Sequence, residues 1–296
     1  MAGQFSEAEG MAMPVRMVPA FREVAGRFDA LTGGSFERWV TVEPQALLSE
    51  HTVASQAVVL FDAALGTVAS ERFGPPSLVA GYSLGFYAAA SLAGVFPMDV
   101  ALEWIRRVNR AMDLRFPPGT FGLAVSIGLT REELLSAFAG ASLGGLEVAN
   151  INNARQLVFA GPAAEMDAAL KALEGRVLSA KALPLGFPLH TSYLRPVAEE
   201  IEPWWRGVPL SDPHMPLLSP VDGSSLTDAG QVRETMLLSL TEPTDWVSVV
   251  KAAGSLGPAW VLDSSGDGSL GRMTRWVDRA MRVVPYREAL AGGGPP

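Results

Sequence analysis

The apolar positions of this chain change their spacing several times, and each change marks an element. Val15, Val18, Phe21, Val24 and Phe28 recur at helical intervals, and residues 46–65 form a second stretch that predicts an amphipathic helix. The short apolar run Ser77-Leu78-Val79-Ala80 predicts a buried strand, and the small-residue run at 86–93 a buried helix. Phe96-Pro97 opens another helix, in which Ala101, Ile105, Val108 and Met112 fall on one apolar stripe while Arg106, Arg107 and Arg110 point elsewhere. Pro117-Pro118-Gly119 stops it.

Beyond that stop, strand and helix patterns alternate at short range. Residues 120–127 predict a strand, 130–138 a helix capped by Thr130 with Glu133, 146–150 and 156–160 two strands, 163–173 a helix and 177–183 a strand. The order βαββαβ predicts a ferredoxin-like unit, which can be inserted into a larger α/β fold. The expected division is a large α/β-hydrolase-like domain with a parallel central sheet, built from 1–116 and 187–296, and a small ferredoxin-like α+β subdomain at 117–186. No internal repeat stands out, and the Gly-Pro tail at 292–296 is expected to fray.

Composition narrows the function classes. A length of 296 residues suits one large domain with a smaller insertion, and an apolar share of 48% fills a core. With 23 basic and 31 acidic residues the formal charge is −8, so no global positive field draws in nucleic acid. The absence of cysteine excludes disulfides, zinc-thiolate sites and a thiol nucleophile, and fits a cytoplasmic protein. The first residues lack a basic segment followed by an apolar one, so no signal peptide is expected. Residues 73–98 carry no charge and are long enough to span a bilayer. Gly74, Pro75, Pro76, Gly81, Gly85 and Gly94 interrupt them, which favours strand, elbow and helix over a membrane span.

That uncharged stretch holds the candidate chemistry. In Gly81-Tyr82-Ser83-Leu84-Gly85 a strand, a sharp glycine-dependent turn and a helix would lift Ser83 out as a nucleophile, with backbone N–H groups facing a developing oxyanion. The pattern alone also describes an ordinary Gly-Ser turn. A serine hydroxyl needs a base, and histidine is the usual one because it titrates near neutrality. Of the three histidines, His51 lies in the amphipathic stretch and His214 in a Pro-rich loop, where both read equally well as plain surface or core residues. His190, in Gly186-Phe187-Pro188-Leu189-His190-Thr191-Ser192, follows the last strand of the small unit, at the expected junction between domains, where clefts form. It is the favoured base.

Several segments together resemble the malonyl-CoA:acyl-carrier-protein transacylase family over nearly the whole chain. Gly3-Gln4-Phe5-Ser6-Glu7 with Gly10-Met11 is similar to its amino-terminal Gly-Gln-Gly-Ser-Gln and Gly-Met signature, and Gly81 to Tyr87 to its nucleophile elbow. Val148-Ala149-Asn150-Ile151-Asn152 with 156–161 resembles its Val-Ala-Asn-x-Asn and Gln-x-Val-x-x-Gly segment, and His190-Thr191 stands where it has His-Ser. Residues 243–246 resemble a Pro-Val-x-Trp element and 263–270 a degenerate Gly-Pro-Gly loop.

The resemblance implies ping-pong acyl transfer, with Ser83 as nucleophile and His190 as base and then acid. It also implies an oxyanion hole from the backbone N–H groups of Glu7 and Leu84, and a His190 oriented by the Ser239 carbonyl rather than by a carboxylate. Gln4, Tyr82, Phe86, Val108, Met112, Asn152 and Leu189 would form the substrate pocket. An acyl-CoA or acyl-carrier-protein donor brings its own CoA or phosphopantetheine, so neither cofactor nor metal is expected. The implied partner is an acyl carrier protein, met by a monomer. Such proteins are acidic, so a local basic surface is needed. The candidates are Arg155 and Arg272 above all, with Arg106, Arg107, Arg110, Arg115, Lys181 and Arg275, although most of these read as solvated helix faces.

The departures from the family bear on the substrate. The family holds the malonyl carboxylate with an arginine in a Leu-Arg-Gly-x-x-Met segment, and matching on Met112 puts Val108 in that place and Asn109 in place of the glycine. Arg107 is turned by about 100° on a helix, and Arg110 lies two positions on. An uncharged acyl or aminoacyl group is therefore expected, since a carboxylate against Val108 would be buried unpaired. Tyr82, Phe86 and Leu189 replace the commoner His, Glu and Phe, making the pocket more apolar, while Glu7 puts a carboxyl beside the oxyanion hole. Tyr82, residues 152–156 and residues 116–119 also resemble the epsilon subunit of malonate decarboxylase. Only Met1 and Ala2 precede the Gly-Gln signature, so the apolar strand usual there is either absent or lies upstream. Three other readings use the same residues: a malonyl transacylase proper, a hydrolase of acyl-carrier thioesters, and a non-catalytic docking relative.

Overall fold

The computed structural model describes residues 51–291, together with Gly26 and Asp29. The expectations for 15–24 and Phe28, for 46–50 and for Gln4 and Glu7 lie outside the described residues. Helix α1 (His51–Phe73) corrects the amphipathic expectation, because every residue from Ala54 to Asp62 is buried. Apolar side chains stand at successive positions there, so they cover all faces of the helix. By length and composition α1 could cross a membrane, yet most of it is enclosed by the rest of the chain.

Strand β1 (Val79–Ala80), helix α2 (Gly85–Leu92) and helix α3 (Met98–Arg115) follow. Pro97 caps α3 from an extended conformation, and the stripe Ala101, Ile105, Val108 and Met112 is buried in the main core. The small unit comprises β2 (Phe121–Ile127), α4 (Arg131–Gly140), β3 (Glu147–Asn153), β4 (Gln156–Pro162), α5 (Ala163–Leu173) and β5 (Ser179–Leu183). Its strands lie in the order β5-β2-β4-β3, all neighbours antiparallel, which is the ferredoxin-like arrangement. Thr130 and Glu133 form a reciprocal capping box on α4. Phe138 of α4 meets Phe159 of β4 with ring centroids 4.9 Å apart, sealing helices against sheet.

The chain then leaves the small unit through a short 3₁₀ turn at Ser192–Leu194 into α6 (Arg195–Arg206). β6 (Leu217–Leu218) pairs parallel with β1, and β7 (Ser225–Leu226) antiparallel with β6. Helix α7 (Ala229–Thr241) is capped by Asp228, whose side chain accepts from the Gln231 N–H. β8 (Thr244–Asp245) joins β3 in parallel, so a strand from the later part of the chain extends the small sheet. After α8 (Trp246–Leu256), strands β9 (Val261–Asp263) and β10 (Val283–Pro285) pair in parallel around α9 (Ser269–Val277), and α10 (Tyr286–Leu290) ends the described chain. The buried indoles of Trp104 and Trp205, 4.8 Å apart, fix α3 against α6.

Candidate active site

A tight reversal of the chain presents Ser83. A Cβ at Gly81 would lie 2.1 Å from the Phe86 nitrogen, so no larger residue fits beneath the turn. Ser83 itself holds a left-handed φ of 52°, unusual for a residue with a side chain. The Gly85 and Phe86 N–H groups bond back to the Tyr82 and Ser83 carbonyls, each at 3.0 Å, which starts α2 directly behind the hydroxyl. The intervening Leu84 N–H has no backbone acceptor among the described residues. It sits at the positive end of α2, a suitable place to receive an oxyanion.

His190 meets this hydroxyl from the far side of the cleft. Its backbone also adopts a left-handed φ, 57°, and the neighbouring Thr191 hydroxyl ties the loop to the Pro188 carbonyl at 2.6 Å. The ring bridges two oxygens: Nε2 lies 2.8 Å from Ser83 Oγ, and Nδ1 lies 2.6 Å from the Ser239 carbonyl. Ser239 belongs to the last turn of α7, whose carbonyls have no partner inside the helix. With Nδ1–H donating to that carbonyl, Nε2 is left to accept the serine proton. Burial pushes the His190 pKa below its ordinary value, and the bond to Ser239 opposes the shift. The ring is thus neutral at neutral pH, while the negative end of α7 can steady the imidazolium formed on proton transfer.

The pocket beside Ser83 is walled by one face of α3, since Ile105, Val108, Asn109 and Met112 follow the spacing i, i+3, i+4, i+7. Leu189 and Leu240 contribute apolar surface, and His51 and Ser55 come from α1. Three expected pocket residues stand elsewhere. Phe86 is wholly buried in the main core, because the first turn of α2 directs it inward behind the serine. Tyr82 donates to Asn152 Oδ1 at 2.7 Å and sets its ring edge-on to Trp246, so both residues tie the elbow to β3 rather than lining the cavity. Arg107 does not reach the pocket either, as it bonds Glu103 at 2.6 Å and stacks over Trp204.

The basic candidates are engaged locally. Arg155 donates to the Gly128 carbonyl at 2.6 Å and to Glu133 at 3.2 Å, and Arg272 to the Asp267 carbonyl at 2.8 Å; both side chains remain more than half exposed. Asp263, at the degenerate glycine loop, accepts from the Ser265 and Gly271 N–H groups and so orders the start of α9. Sequence reasoning passed over His51 and Asn109 as pocket residues. The helical spacing from Ile105 already carried the signal for Asn109, whereas nothing in the pattern aimed His51.

No family model matches the chain. It is 27% identical over 302 residues to the malonyl CoA-acyl carrier protein transacylase of Haemophilus influenzae, covering 98% of this chain and 94% of that one. It is also 27% identical over 223 residues to the polyketide biosynthesis malonyl CoA-acyl carrier protein transacylase PksC of Bacillus subtilis, covering 74% and 75%. The crystal structure of the acyl-carrier-protein S-malonyltransferase of Burkholderia pseudomallei superposes with a TM-score of 0.89 at 26% identity, covering 98% of each chain. The likeness to the malonyl-CoA:acyl-carrier-protein transacylases thus runs through both sequence and fold over nearly the whole length of this chain.

Proposed function

We propose that this chain carries an acyl group from a thioester, through an ester on Ser83, to the thiol of an acyl carrier protein, and that the acyl group is uncharged. The observation that carries the reading is the 2.8 Å approach of Ser83 Oγ to a buried His190 whose other nitrogen is held by a helix-end carbonyl. Ser83 Oγ attacks the thioester carbonyl as its proton passes to His190 Nε2, and the Leu84 N–H meets the oxyanion. Collapse breaks the C–S bond, and the departing thiolate takes the proton from His190. A carrier thiol then gives its proton to His190 and attacks the acyl-serine, and Ser83 recovers its hydrogen as the new thioester leaves. A second oxyanion donor falls to the Glu7 amide, outside the described residues. The thioester supplies CoA or phosphopantetheine, and neither step calls for a metal or another cofactor.

The relatives named above are transacylases acting on acyl carrier proteins, which supports the transfer and the partner. The uncharged acyl group is supported by the pocket wall, where Val108 is buried and no described lining residue is cationic. A carboxylate left there without a partner would lose on the order of several kcal/mol. We place the reaction in the cytoplasm and assign it to a monomer. Initial rates with acyl-CoA and carrier protein varied together test the reading. Parallel double-reciprocal lines are expected for a covalent acyl-enzyme, and intersecting lines would overturn it.

A further inference from the structure

Two buried polar atoms at the acyl pocket have no hydrogen-bond partner among the described residues, Asn109 Nδ2 and His51 Nδ1. Asn109 is only 4% exposed and stands on the apolar stripe of α3 between Ile105, Val108 and Met112. His51 lies in the first turn of α1, its ring tilted against Phe187 with centroids 5.1 Å apart. Buried polar groups in folded proteins are almost always paired, because an unmade hydrogen bond costs the full desolvation of the group. Two orphans meeting at one cavity, beside a nucleophile, mark the place of a polar atom that arrives with the substrate.

We infer that Asn109 and His51 hold a neutral oxygen on the acyl chain, so that the preferred donor is a short hydroxyacyl or oxoacyl thioester rather than a plain alkanoyl one. The inference rests on the acyl-serine reading of Ser83 and names its substrate class. Asn109 Nδ2 can only donate, so the ligand atom opposite it is an acceptor. His51 Nδ1 can accept from a hydroxyl or donate to a carbonyl, according to its tautomer. Burial also lowers the His51 pKa, against the pull of Asp113, and a neutral imidazole suits a neutral oxygen better than a carboxylate. The cavity among these walls is small, about 40 Å³, which favours a short chain.

Initial acylation rates with butyryl-, 3-hydroxybutyryl-, acetoacetyl- and malonyl-CoA, read as mass added to the intact chain, test this. The hydroxy or oxo donor is expected to exceed butyryl by about tenfold or more in kcat/KM, the size of one buried hydrogen bond. Asn109→Leu, close in volume, is expected to bring that ratio toward one, and His51→Phe to reduce it. Butyryl as fast as both oxygenated donors, malonyl fastest of all, or an undiminished preference in a folded Asn109→Leu protein would overturn the inference while leaving acyl transfer intact. No added mass from any donor would instead overturn the acyl-serine reading and the inference with it. The comparison within the unaltered chain decides the matter even where a variant fails to fold.

Discussion

His190 holds its ring between a hydroxyl and a helix-end carbonyl, and its burial sets how the site answers to pH. Its pKa in the fold lies below the ordinary value of about 6.5. The proton-free ring needed as base therefore persists below pH 6.5, and the acid limb of Ser83 acylation is expected on that lower side; a limb above pH 7 would contradict it. The same sign governs stability. The unfolded chain binds this proton more readily, so the contribution of His190 is whole above about pH 6.5 and declines as pH falls toward the folded value. His190→Ala is expected to slow acylation by roughly 10²–10⁴-fold, the usual share of a general base. Val108→Arg should raise malonyl-CoA acylation at least about tenfold by supplying a guanidinium for the carboxylate, measured against a neutral donor on the same protein. At this scale Ser83 was legible from the glycines around it, whereas Asn109 is absent from the expected pocket although it shares the helical spacing of Ile105 and Met112. The directions of Tyr82 and Phe86 were not legible, because the elbow reverses the chain and neither the strand nor the helix period carries across it.

Gly81→Ala places a methyl group where the Phe86 nitrogen and the Gly85 carbonyl carbon lie 2.1 and 2.2 Å away, so the elbow must open. Overpacking of this kind costs about 1–3 kcal/mol or more, and both the thermal midpoint and Ser83 labelling should fall. Thr130→Ala, by contrast, removes a helix cap in the small unit at about 1 kcal/mol. Its thermal midpoint should drop while the acylation rate per folded molecule stays unchanged. Where an element has one buried face, the sequence pattern found it: residues 163–173 and the stripe of α3 are examples. Helix α1 read wrongly as amphipathic because a helix enclosed on all sides leaves no polar face to set the period.

Across the whole molecule, the βαββαβ order was readable because each strand and helix of the small unit carries its own apolar period between clear breaks. The parallel joining of β8 to β3 was not, since it depends on tertiary packing that brings distant segments side by side. The same distance separates Ser83 from His190 and His190 from Ser239; the expected domain junction pointed to His190 as the base, whereas only the family resemblance pointed to the Ser239 carbonyl. Arg155, at the β3–β4 turn, and Arg272, on α9, are more than half exposed, and we propose them as basic positions for an acidic carrier. Arg155→Glu with Arg272→Glu should slow acyl delivery to a carrier protein several-fold more than delivery to pantetheine; equal slowing of both would remove the patch from the binding surface.

The most direct measurement is the location of the acyl group on the chain. The protein is mixed briefly with the acyl-CoA panel, quenched in acid, digested and mapped by mass. A single ester on the peptide containing Ser83, absent from Ser83→Ala and slowed in His190→Ala, is the predicted result. An ester on another residue, or one that survives undiminished in Ser83→Ala, would contradict it.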